Sequence, residues 1–457
     1  MKSLFVSEYW QPNSQGGGEE SAAVLASALA ERGVSVTVLT SHFNEELAEE
    51  TQNKNPKRQK RQGIKDIVGI FNVADTRKVF LQPDISSEGI SATNKVRVLR
   101  RISTGTSPGR FWSNVKRAIV FPFSAQIQVK KLLCQEEFDA IHYVNVSSAM
   151  AKTNTRIHSF VHVNSPVFFC PKGTLMYRDQ KECHYKCTPY RFLECFVHSH
   201  VFGKMQNKWY YKYNPGVLIT LYAAFRIRMF KLKRFDKYVA VSGFMQQKLL
   251  ETGVNERKTQ VISNIVSVPK LVKTRNKKPA ILYLGDYIAQ KGVMELLKGL
   301  LLVKKDYDCD FYGSGPLYNV MQEFVKNNGL KNVQINSRIT QERALSTIAT
   351  HDIVIQPSLV PEAMSRTVLQ AMAAGKAVIT SNRGGMKDYI QHEKEGLIVD
   401  PSVPREVARA IEYCLDKKVC ERLGKNAIAK VQQTSSANVV TDKFLLLYKS
   451  PKHITKE

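Results

Sequence analysis

Between Pro357 and Gly375 the chain reads PSLVPEAMSRTVLQAMAAG, the segment whose residue types are best suited to holding a small anionic ligand. Ser365 has the side chain of a helix N-cap, and the run after it to Ala374 places apolar residues at helical spacing. The first amides of such a helix lack intrahelical acceptors and, with the helix dipole, attract a phosphate or diphosphate. Glu362 stands just before the helix and Gln370 eight residues further on, so the two could clamp the ends of one extended molecule. A surface acid and a helix-face amide with no ligand between them fit the same spacing.

Such a helix must be delivered by a strand, and Ile353-Val354-Ile355 supplies one. It belongs to a series of strand-like runs at Ala280–Gly285, Cys309–Tyr312, Val333–Asn336, Ala377–Ile379 and Leu397–Val399. A second series begins at the N-terminus. Ser3–Glu8 reads as a strand and Gln11–Gly18 as a glycine loop. Glu19–Glu31 reads as a helix closed by Arg32-Gly33, and Val34–Thr40 as the next strand. So short a return predicts a right-handed parallel crossover, the seed of a doubly wound sheet. Ala140–Val144, Phe160–Val163 and Lys237–Ser242 continue it, whereas residues 51–131 show little regularity and many basic side chains. The expected organisation is an N-terminal α/β domain over 1–266, a lysine- and proline-rich linker over 267–279, and a second α/β domain over 280–432. A last helix within 433–457 is expected to pack back on the first domain. The natural ligand site is the cleft between the two halves.

With 457 residues, 43% hydrophobic and 23% charged, the chain has the composition of a globular protein of two or three domains. Its longest apolar run, Pro215–Phe225, is far short of the roughly 20 residues that cross a bilayer. The N-terminal residues lack the pattern of a signal peptide, so a cytoplasmic location is expected. The outlying quantity is charge: 67 Lys and Arg against 40 Asp and Glu, net +27. That suits a phosphorylated substrate, an anionic membrane face or nucleic acid. Leu218–Phe235 reads as a basic amphipathic helix, either packed on the sheet with its charges solvated or resting on a membrane. Of eight cysteines, Cys170, Cys183, Cys187 and Cys195 cluster without the paired spacing of a zinc site, and free thiols in a packed loop are the expectation. Asp308-Cys309-Asp310 has a metal-binding spacing but falls on a strand, so no metal is expected.

In order and interval these segments resemble the family-four retaining glycosyltransferases, which have the two-domain GT-B fold. Gly16-Gly17-Gly18-Glu19, with Leu25, Leu29 and Arg32-Gly33, is similar to that family's glycine loop and first helix. Val261–Asn264, Leu282–Gly285 with Lys291-Gly292, and Tyr312–Pro316 resemble its successive turns and phosphate-binding lysine. Asn382–Gly385 and Gly396–Val399 resemble its closing elements, and Glu362 to Gln370 its pair of acids eight positions apart.

The resemblance implies two Rossmann-like domains facing each other across a cleft, and transfer of a sugar from a nucleoside-diphosphate sugar, UDP- or GDP-linked, with retention of configuration and without a metal or other cofactor. Glu362 would contact the transferred sugar. Gly16, Gly17, Lys291, Ser365, Arg366, Thr367 and Gln370 would bind the donor. Asn164, or His162 two residues earlier on the same strand face, would meet the reacting sugar, although His162 fits an ordinary core histidine equally well. Two departures stand out. Asp286 occupies the place of an arginine, and Gln370 replaces an acid, keeping one amide oxygen as acceptor. Ser365 replaces a glycine, and Asp388 keeps the acidic position after the closing glycines. The acceptor implied is a glycan or lipid-linked glycan of a bacterial surface polysaccharide, with the basic N-terminal domain on the inner face of the plasma membrane and no nucleic acid bound. The rivals are a binding protein of the same fold whose chemistry has lapsed and a sugar-nucleotide epimerase.

Overall fold

A computed structural model describes residues 1–10, 17–42, 68–71, 96–103, 111–179, 181–184, 186–199, 213–266 and 278–449. Gly16 and most of the linker expected at 267–279 lie outside them. The N-terminal sheet comprises β1 (Lys2–Val6), β2 (Ser35–His42), β3 (Val68–Phe71), β4 (Val96–Ser103), β5 (Ala140–Tyr143) and β6 (His158–Val163). After the two-residue strands β7 (Met176–Tyr177) and β8 (Lys181–Glu182), it is completed by β9 (Lys237–Ala240) and β10 (Thr259–Val261). Its order is β10-β9-β6-β5-β1-β2-β4-β3, parallel except where β3 runs against β4. The C-terminal sheet contains β11 (Ala280–Leu284), β12 (Asp308–Gly313), β13 (Val333–Ser337), β14 (Ile353–Gln356), β15 (Ala377–Ser381) and β16 (Leu397–Val399). It is wholly parallel, in the order β13-β12-β11-β14-β15-β16.

In each sheet the strand order reverses beside the first strand, between β1 and β5 and between β11 and β14. Doubly wound sheets open a crevice at the carboxyl ends of such a pair, because the connecting helices leave there in opposite directions. The residues following these strands are Ser7-Glu8 and Val144-Asn145 in the first domain, Gly285-Asp286 and Pro357-Ser358 in the second.

Two regions depart from the sequence reading. Residues expected to be irregular contain β4 and a helix over Phe111–Gln135, with Pro122 inside it. The expected amphipathic helix at Leu218–Phe235 spans Pro215–Leu232, and it is not amphipathic. Phe225 and Leu232 are buried, while Ile219, Ile227 and Phe230 face outward among the basic residues.

Polar contacts pin the domains together. Ser242 Oγ donates to Ala363 O at 2.7 Å, Phe244 N to Asp388 Oδ2 at 2.7 Å, and Tyr389 Oη to Val241 O at 3.1 Å. Val266 N reaches Ser435 O at 3.0 Å. The helix Ala437–Lys449 then sends Val440, Phe444 and Leu447 into the core of the first domain.

Candidate active site

Ser365 caps the helix Arg366–Ala373, its Oγ accepting from Val368 N at 3.4 Å. The amides of Arg366 and Thr367 are then the ones an anion at this helix start would meet. Three residues ahead of this cap in sequence, Glu362 Oε1 accepts from Lys291 Nζ at 2.7 Å and also from Ser358 Oγ. Burial alone would push the Glu362 carboxyl up. The Lys291 ammonium and the two hydrogen bonds outweigh it and hold the group below the usual carboxylate range. Burial likewise works against the Lys291 ammonium, but Glu362, and more weakly Asp286, raise its pKa above the ordinary lysine value. Gly292 lets the backbone turn here: its φ is +67°, and a β-carbon on it would lie 1.9 Å from Pro357 O.

Asp286 does not stand as a bare negative charge beside the helix start. Arg338, which follows β13, is ion-paired with it. Gln370 lies half-buried within the helix, and Thr367 is half-buried on its first turn.

Across the cleft, Gly17 opens the helix Gly17–Glu31. A β-carbon on Gly17 would come 2.7 Å from Arg366 Cδ, and one on Gly18 would come 2.4 Å from Asn164 Nδ2. Gly17 thus leaves room for the Arg366 side chain of the second domain, and Gly18 for Asn164 of its own domain. Arg366 completes the contact by ion-pairing with Glu20. Burial pulls the Arg366 guanidinium down to about 10.

Asn164 donates to Val144 O at 3.0 Å, beyond the end of β5. With Gly18, His162 and Asn264 it lines a cavity of about 20 Å³, space for a single water. His162 touches this cavity but is committed elsewhere. Its Nε2 lies 2.8 Å from His142 Nδ1, and His142 Nε2 lies 2.6 Å from Tyr448 Oη on the last helix. Burial pulls His162 down to about 4 and His142 well below the ordinary histidine value. His162 therefore sits as an uncharged, hydrogen-bonded core histidine, and Asn164 is the residue of the two that meets the glycine helix.

Several participants escaped the sequence reading. Glu8, 6% exposed, accepts from Ser147 Oγ at 2.5 Å, and Asn145 Nδ2 donates to Glu19 Oε1 at 3.2 Å. Burial raises the Glu19 carboxyl, the Asn145 hydrogen bond opposes that rise, and the charge of Glu8 adds to it. Glu8 was visible only as the close of the first strand, and Glu19 only as the end of the Gly16–Glu19 glycine loop, with no role attached to either. Asp388, the acid after the closing glycines, accepts the Phe244 amide and ties the domains. In the cysteine-bearing insert, Cys195 Sγ donates to Met176 O at 3.7 Å. Burial, with Cys170, Cys183 and Cys195 nearby, pushes the Cys187 thiol up to about 12. Among the described residues no three His, Cys, Asp or Glu side chains are grouped to hold a metal ion.

Residues 15–268 match the family described as Glycosyltransferase Family 4, and residues 269–430 the family Glycosyl transferases group 1. Among curated relatives, D-rhamnosyltransferase WbpZ of Pseudomonas aeruginosa is 30% identical over 154 residues, 32% of this chain and 40% of its own. Alpha-D-kanosaminyltransferase of Streptomyces kanamyceticus is 26% identical over 177 residues, 38% of this chain and 46% of its own. The chain thus spans about half the length of the curated relatives it matches. Among solved structures, Anabaena HepE in complex with UDP and glucose superposes with a TM-score of 0.62 at 14% identity, covering 99% of this chain and 100% of that one. Sucrose-phosphate synthase of Thermosynechococcus elongatus gives a TM-score of 0.64 at 17% identity, covering 98% of each chain. Both likenesses concern the fold, that of two Rossmann-like domains facing across a cleft.

Proposed function

The chain belongs to glycosyltransferase family 4, and from that premise we propose that it moves a sugar from a nucleoside-diphosphate sugar, UDP- or GDP-linked, to a glycan or lipid-linked glycan acceptor. The observation that carries this reading is the Lys291–Glu362 pair, whose carboxylate stands three residues ahead of the Ser365-capped helix start. Lys291, Arg366 and the amides of Arg366 and Thr367 receive the diphosphate, and their charge stabilises it as it departs. Glu362 orients the hydroxyls of the transferred sugar. Asn164 and the glycine helix bring the acceptor side of the cleft up to that sugar, and closure excludes the water that would hydrolyse the donor. Retention of configuration, independence from metal and a place in surface-polysaccharide biosynthesis complete the proposal. The UDP and glucose bound by HepE favour a uridine donor.

The test is thermal unfolding against a panel of nucleoside diphosphates and nucleotide sugars, with Mg²⁺ or with EDTA. A ligand at 100 times its Kd adds about 2.7 kcal/mol. A shift with one nucleotide that EDTA leaves intact supports the reading. A folded protein that shifts with none of them overturns it in favour of a lapsed binding protein, the reading that Gln370 in place of an acid favours.

We further propose that the first domain rests on an anionic membrane face. Ile119, Phe123 and Ile127 are 66%, 67% and 40% exposed, one turn apart along the helix Phe111–Gln135. That helix and Pro215–Leu232, with its exposed Ile219, Ile227 and Phe230, both pack on the short helix Val146–Met150. Exposed Arg226, Lys233 and Arg234 supply positive charge beside this apolar surface. Replacing Ile119, Phe123 and Ile127 together by serine should abolish co-sedimentation with vesicles containing phosphatidylglycerol. Undiminished co-sedimentation refutes the docking face. Among the described residues no helix is long and apolar enough to cross a membrane.

A further inference from the structure

A second cavity, of about 340 Å³, opens between the domains, within the size range of small-molecule sites. The first domain contributes Thr174, Met176 and Asp179, all from the cysteine-bearing insert. The second contributes Gln290, next in sequence to Lys291, and Leu359 and Val360, just before Glu362. The cavity therefore adjoins the segments that carry the Lys291–Glu362 pair.

The insert wall is firmly built. Lys172, whose side chain is only 3% exposed, bonds Asp179 Oδ1 at 2.6 Å and Ser199 Oγ at 2.5 Å. Leu175, Arg178 and Asp179 hold φ of +52°, +51° and +61°, a region that side chains other than glycine rarely occupy. Three such residues within five positions mark a loop whose shape its surroundings impose, as is common at ligand clamps.

The chemistry of the lining selects a ligand class. Two acids, Asp179 and Glu295, and two bases, Lys298 and Arg383, balance to no net charge. Each is partnered: Asp179 by Lys172, Glu295 by Lys298 at 3.8 Å, and Arg383 by Ser402 Oγ at 2.6 Å and Asp400 at 3.4 Å. An anion or a cation gains little there, whereas a neutral molecule rich in hydroxyls meets donors and acceptors on several sides. Met176, Val360 and Pro404 add apolar surface suited to the C–H face of a sugar ring.

We propose that this cavity is a subsite for one neutral sugar residue of the acceptor, walled by the cysteine-bearing insert. It rests on the transferase reading. The probes are methyl glycosides of glucose, galactose and mannose, offered to the full chain with saturating nucleoside diphosphate and read by saturation-transfer NMR. At least one should bind. Ser402→Trp, which plugs the mouth from an exposed turn, should weaken it at least tenfold while leaving the thermal shift with nucleoside diphosphate unchanged. Lys298→Ala, on an exposed helix face, should weaken it several-fold without filling the space. Failure of every glycoside to bind, binding undiminished in Ser402→Trp, or a charged glucuronide binding more tightly than its neutral parent overturns the proposal. Failure of the nucleotide shift in the unaltered chain instead overturns the donor reading, so the two outcomes are separable.

Discussion

Replacing Glu362 by glutamine keeps the shape of the side chain and removes the charge that Lys291 faces at 2.7 Å. A hydrogen bond between charged partners contributes about 1.5–3 kcal/mol net. Here the two side chains are 29% and 17% exposed, so screening trims the coupling to about 1.5–2 kcal/mol. In a domain of this size that is about 3–8 °C in Tm. The assay is a double-mutant cycle, comparing the native chain with Glu362→Gln, Lys291→Met and the double variant in urea unfolding between pH 8 and pH 4. The folded carboxyl lies below its ordinary value, held there by Lys291 and Ser358 against the cost of burial. Its contribution is therefore complete above the ordinary carboxylate pKa and is lost as pH falls through the folded one. The coupling should be full at pH 8 and shrink toward the acid end. A coupling at pH 8 below about 0.5 kcal/mol, the level of independent sites, refutes the pairing as the organising charge of the site. So does a coupling that grows on acidification.

Gly18→Ala must displace either the helix start or Asn164, which costs about 1–3 kcal/mol; a chain as stable and as active as the native one would show that the approach is loose. Glu20→Gln leaves Arg366 without its carboxylate, and the freed guanidinium should bind nucleoside diphosphate several-fold more tightly by calorimetry; weaker binding would mean that Glu20 aligns Arg366 rather than competing with the ligand. Tyr448→Phe removes the hydroxyl beside His142 and should cost about 1–3 kcal/mol, read as a lower urea midpoint. With His162 lowered from its ordinary 6.5 to about 4 by burial, the unfolded chain takes up a proton that the folded one refuses, so stability should fall by about 3 kcal/mol as pH drops from 6.5 to 4. His162→Gln should flatten that slope, and an unchanged slope would place the titration elsewhere.

The parts of the fold legible from sequence were those in which local signals agree with the tertiary result. β1, the glycine helix and β2 carry apolar periodicity, a glycine stop and a short return. Ser365 caps the helix that its position announces. β4 and the helix Phe111–Gln135 were missed because basic residues and Pro122 break up the periodicity that packing tolerates. In the site, Glu362 and Lys291 were each visible, yet their pairing joins residues 71 positions apart. Arg366 meets a residue of the other domain, and Arg338 meets Asp286 across 52 residues. No spacing rule reaches so far; only the placing of strand ends at the switch points brings these side chains together.

Those pairings change how the anomalous Asp286 is to be understood. Taken alone, a carboxylate in place of an arginine repels a diphosphate. In the folded cleft Asp286, Glu362 and Glu20 each hold a cation, Arg338, Lys291 and Arg366 respectively. On the proposed reading, a diphosphate entering the cleft gains by exchange, taking Lys291 and Arg366 from partners that must relax away. On the same reading a bare phosphate binds weakly, since Lys291 and Arg366 stand on separate elements of the second domain and are each held by a carboxylate. On that reading a ligand that takes Arg366 from Glu20 breaks a contact between the domains, which couples its arrival to their interface. Asp286 and Arg338, 47% and 64% exposed, lie outermost and lose least by separating. They are thus the pair best placed to separate first.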